Sequence, residues 1–138
     1  MLKIPVEEYT TPGVYSVTME DSLDKVRQMM KDHGFRHVPV VEDKTVVGII
    51  SDRDIWMAMC EDHPQCAKDV MTPHPYTVTP DTPLEEVAFE LSKNKIGCAI
   101  VQRPEEDFIG IFTSTDALNA LIEVLRGQVE SSQEEDDA

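Results

Sequence analysis

The sequence predicts a mixed α/β (α+β) protein built from two similar units, each with the element order β-α-β-β-α. One short stretch occurs twice: residues 48–54 read Gly-Ile-Ile-Ser-Asp-Arg-Asp, and residues 110–116 read Gly-Ile-Phe-Thr-Ser-Thr-Asp. Around both copies, apolar residues follow first the spacing of strands and then that of helices. The repeat is about 60 residues long, so two units fill most of the 138-residue chain.

The repeat extends well beyond the shared stretch. Aligning Tyr15 with Tyr76 brings apolar residues into register on both sides of the first helix, and the dipeptide Thr-Pro precedes each unit. The matched pairs are Leu23 with Leu84, Val26 with Val87, Met30 with Leu91, Val40 with Val101, and Thr11-Pro12 with Thr72-Pro73. The chain therefore predicts two similar subdomains packed together.

The elements of the first unit follow from capping residues and apolar spacing. They are a strand at Val14–Thr18, a helix that begins after Asp21 or Ser22 and ends at Gly34, strands at Val38–Val41 and Val46–Ile50, and a helix at Asp52–Glu61. Gly34 is expected to be left-handed, as is usual just past a helix end. In the last helix we expect Ile55, Met59 and either Trp56 or Met57 to face inward.

The second unit follows the joining segment Asp62–Ala67 and repeats the order. Its first helix has a clear start signal, with Thr82 as cap, Pro83 in the first position and Glu85 completing a capping box. The other expected features are a strand from Val78, core positions Leu84, Val87 and Leu91, strands Cys98–Gln102 and Phe108–Phe112, and a last helix that reaches about Arg126 and is closed by Gly127.

Composition limits the classes of partner and compartment. The net charge of −15 argues against nucleic acid or an anionic membrane as a general partner, because both need a basic surface. No apolar run approaches the ~20 residues of a membrane span, and no secretory signal precedes the first unit. The odd count of three cysteines fits a reducing compartment, so we expect a cytoplasmic protein without membrane insertion.

The expected domain organisation is a lead-in at 1–7, repeat 1 at 8–66, repeat 2 at 67–126, and an acidic tail at 127–138. The tail is Ser, Gln, Glu and Asp with few apolar residues, and is expected to be disordered. Cys60, His63 and Cys66 fall short of the four ligands of a structural zinc site, and Cys60 is expected to pack on its helix. No catalytic nucleophile and base are predicted.

The duplicated stretch has the chemistry of a nucleotide site. Ser51 and Thr113 stand where a helix cap belongs, and the helix N-terminus that follows suits an anion such as a phosphate. Asp54 and Asp116 come three residues later, where a carboxylate could accept hydrogen bonds from the two hydroxyls of a ribose. The alternative is a capped helix with a solvated acid; two copies in matching contexts favour the site.

Two further segments belong with the duplicated stretches: Asp69-Val70-Met71-Thr72 and Gly34–Val41. Together they make the chain resemble a tandem pair of CBS domains, a Bateman module, over roughly residues 8–125. The resemblance implies a stand-alone protein in which two CBS repeats pack with pseudo-two-fold symmetry, with clefts between them that commonly take adenosine-containing ligands. It also implies pairing into a flat homodimer.

The resemblance assigns roles to particular residues. Asp54 and Asp116 match ribose-binding aspartates, and Ser51 and Thr113 match the hydroxyl position near ribose or phosphate. The remaining ligand-binding candidates are the adenine-facing strand openings Ser16-Val17-Thr18 and Thr77-Val78-Thr79, His37 and its neighbour Arg36 for phosphate, and Arg53 as a further phosphate contact. Gly97 and Cys98 replace Arg36 and His37 in repeat 2, so the two sites are expected to differ.

The favoured function is a non-enzymatic regulatory module for energy sensing. It would bind a ligand of the AMP, ADP and ATP class, with Mg²⁺ dependence left open and no cofactor required, and a separate effector protein would respond to the altered repeat or dimer geometry. The alternative is a CBS dimerisation or interaction module without a ligand. A small metal-dependent enzyme is the least favoured interpretation.

Overall fold

The computed structural model describes residues 3–13, 15–61, 65–104 and 108–127. Over these residues the fold is mixed α+β, as predicted. The helices are α1 Leu23–His33, α2 Asp52–Ala58, α3 Ala67–Val70, α4 Leu84–Asn94 and α5 Ser114–Leu125, with a 3-10 turn at Val6–Tyr9. The strands are β1 Thr11–Pro12, β2 His37–Glu42, β3 Thr45–Ser51, β4 Thr72–Pro73, β5 Thr77–Val78, β6 Cys98–Gln102 and β7 Phe108–Thr113.

The described residues form two compact units that cut across the order of the chain. The first, here called the Ser51 unit, takes its described residues from 13–76 together with 108. The second, the Thr113 unit, takes them from 3–12, 77–104 and 109–127. Residues 3–12, which include the first five residues of repeat 1, therefore belong with most of repeat 2, and residues 67–76, which open repeat 2, belong with most of repeat 1.

The sheet of the Ser51 unit has three strands in the order β2-β3-β4. Strands β2 and β3 are antiparallel, which places His37 opposite Ser51. Strand β4 pairs with β3 so that Pro73 lies opposite Gly48. Of the predicted strand at Val14–Thr18, only Val17 forms a bridge, parallel to Val40; residue 14 lies outside the described residues.

Helix α1 matches its prediction closely. The Ser22 hydroxyl accepts a hydrogen bond from the Lys25 backbone N–H at 3.2 Å, and Gly34 ends the helix at φ 71°. Val26 is fully buried and Met30 nearly so, as their spacing predicted. The buried core of the unit is Val17, Val26, Met30, Val38, Val40, Ile50, Ile55 and Ala67.

The predicted inward face of α2 is partly wrong. Ile55 is buried, but its partner is Ala58 rather than Met59, which is 58% exposed. Trp56 and Met57 are 74% and 67% exposed. The helix ends at Ala58, three residues early, so Met59 falls at its C-terminal cap instead of a further inward turn. Cys60, expected to pack on the helix, is exposed.

In the Thr113 unit the sheet order is β1-β7-β6-β5. The short strand β1 is antiparallel to β7 and places Thr11 opposite Ile111. Strand β5 runs parallel to β6 and places Val78 opposite Val101. The fully buried side chains of this sheet and of α4 are Val87, Ala99, Ile100, Val101 and Phe112.

The start of α4 differs from the predicted capping box. No side chain caps this helix, and the Thr82 hydroxyl lies 3.1 Å from that of Thr79 instead. The Leu84 backbone N–H donates to the Ile4 carbonyl at 2.7 Å, so the N-terminal segment supplies the acceptor expected from Thr82. Among all the helices of the described ranges, none is long and apolar enough to cross a membrane.

The glycine that begins each copy of the duplicated stretch is required because a short neighbouring segment lies very close to it. A Cβ on Gly48 would lie 2.8 Å from Met71 Cγ, beside β4. A Cβ on Gly110 would lie 2.7 Å from Thr10 Cγ2 and closer still to the Thr11 carbonyl oxygen in β1. Each unit therefore needs a residue without a side chain where a Thr-Pro strand lies against it.

Candidate ligand-binding site

The turn from Ser51 to Asp54 holds a carboxylate at the junction of β3 and α2. The Ser51 hydroxyl accepts from the Asp54 backbone N–H at 3.1 Å, and Asp54 Oδ2 accepts from the Ser51 backbone N–H at 2.8 Å. This reciprocal capping box fixes the half-buried Asp54 side chain. Within the described residues its second oxygen, Oδ1, accepts no hydrogen bond, so it is available to a ligand hydroxyl.

The backbone N–H groups at the start of α2 are already used. Asp52 N donates to the Arg36 carbonyl at 2.9 Å, and Arg53 N donates to Asp52 Oδ1 at 2.9 Å. Asp54 N is taken by Ser51. The predicted phosphate contact at this helix N-terminus therefore lacks free donors, and phosphate recognition would depend on side chains.

Three candidate phosphate contacts surround this turn. His37 lies opposite Ser51 in the sheet, and its burial lowers its pKa below the ordinary value, although Asp52 and Asp54 oppose the shift. The imidazole is therefore neutral at pH 7 and offers one N–H donor rather than a full charge. Arg36 and Arg53 are exposed arginines, so a positive charge beside this turn would have to come from them.

A cavity of about 250 Å³ borders Asp54 inside the Ser51 unit. Its lining residues are Asp54, Met57, Ala58, Glu61, Gln65, Asp69 and Val70. Gln65 Oε1 is buried and has no hydrogen-bond partner in the described part of the chain. A buried acceptor without a donor is costly, but Gln65 Oε1 has almost no accessible surface, so it offers no contact to a ligand in this cavity without a side-chain movement.

The strand opening at residues 16–18 is only partly available to a ligand. Val17 N donates to the Pro39 carbonyl at 3.0 Å, and the Val17 carbonyl accepts from Val41 N at 2.8 Å. Thr18 N donates to Asp21 Oδ2 at 2.8 Å, which helps to lower the pKa of Asp21. The Ser16 backbone makes no hydrogen bond to other described residues, so it is the one residue of the three whose backbone groups are unused within the described chain.

The Thr113 unit repeats the capping box with two further contacts to the aspartate. Asp116 N donates to the Thr113 hydroxyl at 3.2 Å, and Asp116 Oδ2 accepts from Thr113 N at 2.9 Å and from the Thr113 hydroxyl at 3.1 Å. The Thr11 hydroxyl also lies 3.2 Å from both carboxylate oxygens of Asp116. The sequence patterns assigned Thr11 no role in the site. The Thr-Pro dipeptide that recurs before each repeat could have pointed to it.

The other positions of the Thr113 unit are less basic than their counterparts. Cys98 stands where His37 stands in the first repeat; it is buried, and burial raises its pKa to about 12, so the thiol is uncharged. The Gly97 carbonyl accepts from Ser114 N at 3.1 Å, the part played by Arg36 in the other unit. Thr77 and Val78 pair with β6, and the Thr79 hydroxyl donates to Asp81 at 2.6 Å.

Solved structures with the same fold include several proteins with bound adenosine compounds. AcuB of Vibrio cholerae, which has been assigned to acetoin utilization, has a TM-score of 0.81 and 30% identity over 94% of this chain and 98% of its own. CBSX2 of Arabidopsis thaliana in complex with AMP has a TM-score of 0.75 and 25% identity, covering 87% of this chain and 97% of its own. A CBS domain pair solved with 5′-methylthioadenosine and S-adenosyl-L-methionine has a TM-score of 0.75 and 25% identity over 86% of this chain and 99% of its own.

The same relationship is found at the level of sequence. An inosine-5′-monophosphate dehydrogenase of Korarchaeum cryptofilum is 32% identical over 110 residues, which are 80% of this chain but only 23% of that enzyme. The chain thus spans about a quarter of the length of this relative. The CBS domain profile matches residues 6–55 and again residues 67–123. These two matches take in both repeats, and the chain therefore belongs to the CBS domain family.

Proposed function

We propose that this chain is a regulatory module that binds an adenosine-containing ligand of the AMP, ADP and ATP class. The observation that carries the proposal is the Asp54 carboxylate, which is held by its capping box and presents an unused oxygen beside a cavity. Ribose offers two neighbouring hydroxyls, which suit a carboxylate acceptor. Arg36, His37 and Arg53 are the proposed phosphate contacts, and Ser16 the proposed contact to adenine.

Known ligands of related proteins support this ligand class. CBSX2 was solved with AMP, and another CBS domain pair was solved with 5′-methylthioadenosine and S-adenosyl-L-methionine. All three compounds share adenosine, and they differ in what is attached at the 5′ position. Adenosine is therefore the part of the ligand that we assign to the site around Asp54.

The charge around the cavity favours a ligand with few phosphates. Glu61 and Asp69 line the cavity with Asp54, whereas Arg36 and Arg53 are exposed. Carboxylates close to a triphosphate would oppose it unless a cation intervenes. We therefore propose AMP ahead of ATP, with Mg²⁺ improving the binding of ATP.

The proposed module acts without catalysing a reaction. A ligand shifts a protein between two conformations only when it binds one of them more tightly, so the response needs a ligand-dependent geometry and a partner that recognises it. We propose a separate effector protein for that part, and a cytoplasmic setting in which nucleotide levels report the energy state. The free cysteines Cys60, Cys66 and Cys98 agree with a reducing compartment.

A homodimer is the proposed form of the module, and a dimerisation module without a ligand is the alternative function. A groove of about 750 Å³ in the Thr113 unit is lined by apolar residues of α4 and α5, among them Phe89, Leu121 and Val124. Phe89 is 59% exposed and Leu121 51%, which is unusual for large apolar side chains unless another surface covers them. Light scattering should give the mass of two chains; the mass of one chain at micromolar concentration would contradict the dimer.

A thermal-unfolding panel tests the ligand class. The purified chain is heated with AMP, ADP, ATP, S-adenosylmethionine or NAD, each with and without Mg²⁺, and with guanosine monophosphate as the control. A ligand present at 100 times its dissociation constant should add about 2.7 kcal/mol to the free energy of unfolding. We expect AMP to raise the midpoint and the control to leave it unchanged. A folded protein that responds to no adenosine compound would support the dimerisation module instead.

A further inference from the structure

The matching aspartates of the two repeats, Asp54 and Asp116, differ in the hydrogen-bond donors around their carboxylates. In the described part of the Ser51 unit, the Asp54 carboxylate accepts one hydrogen bond, from Ser51 N. The Asp116 carboxylate accepts from Thr113 N and the Thr113 hydroxyl, and the Thr11 hydroxyl lies within 3.2 Å of both its oxygens. The oxygen that a ribose would use is thus open at Asp54, whereas at Asp116 the Thr11 hydroxyl, which can donate one hydrogen bond, lies beside both carboxylate oxygens and competes for them.

The position of Thr11 explains the contact. Strand β1 pairs with β7 so that Thr11 lies opposite Ile111, two residues before Thr113. The side chain on this short edge strand can therefore reach the carboxylate one helical turn into α5. Thr72 is its counterpart in the Ser51 unit, opposite Ile49. Over the described residues, however, the Thr72 hydroxyl makes no hydrogen bond to Asp54.

We propose that Thr11 determines ligand selectivity between the two repeats by acting as an internal substitute for a ribose hydroxyl. A ligand that enters at Asp116 must break the Thr11 hydrogen bond before its own hydroxyls reach the carboxylate. A ligand at Asp54 has no such competitor. The Asp54 site therefore fills first, and the Asp116 site remains weak as long as Thr11 keeps its hydroxyl. This inference rests on the proposed binding of adenosine ligands.

The test uses AMP and isothermal titration calorimetry on the full chain. Thr11→Val keeps the shape of the side chain and removes the hydroxyl, and Thr11→Ala is a second variant without it. Thr72→Val is the matched control on the equivalent strand. Thr11→Ser keeps the hydroxyl. Thermal unfolding without ligand establishes that each variant is folded.

We expect the wild-type chain, Thr11→Ser and Thr72→Val to bind one AMP tightly and a second weakly. In Thr11→Val and Thr11→Ala the second AMP should bind about tenfold more tightly, the effect of removing one competing hydrogen bond. Adding Asp116→Asn to Thr11→Val should abolish that gain and leave the first site intact.

Two results would overturn the inference, and they are distinguishable. If all proteins bind AMP but Thr11→Val and Thr11→Ala bind the second AMP no more tightly than the wild type, Thr11 does not compete with the ligand and the inference alone fails. Weaker second-site binding in both variants would have the same meaning, because Thr11 would then assist the ligand. If AMP binds to none of the proteins, the proposed function fails and the inference fails with it.

Discussion

Replacing Asp54 by asparagine is expected to weaken binding of an adenosine ligand by about ten- to a hundredfold. A hydrogen bond to a charged group contributes about 1.5–3 kcal/mol, and 1.4 kcal/mol corresponds to a tenfold change in the dissociation constant. Asparagine keeps a carbonyl oxygen that can accept from Ser51 N, so the turn should retain its shape. The variant loses the second carboxylate oxygen and the charge. Titration calorimetry with AMP measures the effect.

Asp52→Asn is the matched control for this variant. Asp52 is exposed on the first turn of the same helix and carries the same charge, but its carboxylate accepts from Arg53 N and takes no part in the capping box. Its replacement should change the affinity for AMP by less than about threefold, the scale of a screened surface charge. Equal losses in the two variants would mean that the net charge of the turn, and not the Asp54 acceptor, controls binding.

Replacing Gly110 by alanine is expected to lower the free energy of unfolding by about 1–3 kcal/mol, as overpacking typically does. The new methyl group would meet the backbone carbonyl of Thr11, which cannot rotate away as a side chain can. Strand β1 would have to move, which weakens its pairing at Pro12–Gly110 and Thr11–Ile111. Urea unfolding followed by circular dichroism measures the loss.

Gly48→Ala is the control, because it places the same methyl group at the matching position of the other repeat. The obstacle there is the Met71 side chain, which is unbranched and able to change rotamer. We expect it to cost clearly less than Gly110→Ala. If Gly48→Ala proves as costly as Gly110→Ala, the contrast between a rigid backbone and a flexible side chain is not what limits these two positions.

Sequence patterns correctly predicted the ends of α1 and the capping residues Ser51 and Thr113, which depend on residues a few positions apart. Helix α1 begins after Ser22 and ends at Gly34, as predicted, because the N-terminal cap and the left-handed glycine each depend on a few adjacent residues. The capping boxes at Ser51 and Thr113 form because each hydroxyl residue and its aspartate are three residues apart. The α+β class followed from the repeat itself.

The features that the sequence did not predict depend mainly on contacts with distant parts of the chain. Thr82 does not cap α4 because the Ile4 carbonyl, almost 80 residues earlier, accepts from Leu84 N. Met59 is exposed because α2 ends before completing another inward turn. Thr11 reaches Asp116 only through the pairing of β1 with β7, which spacing along the chain does not reveal.

The most direct test of the central claim compares AMP with 2′,3′-dideoxy-AMP on the wild-type chain and on Asp54→Asn. The account assigns the ribose hydroxyls to the Asp54 carboxylate, so removing either partner should remove the same interaction. The dideoxy compound should bind the tight site of the wild-type chain at least about tenfold more weakly than AMP, and Asp54→Asn should lose this preference at that site and keep only that of the weak Asp116 site. An undiminished preference for AMP in Asp54→Asn would contradict the account, because the hydroxyls would then be recognised elsewhere.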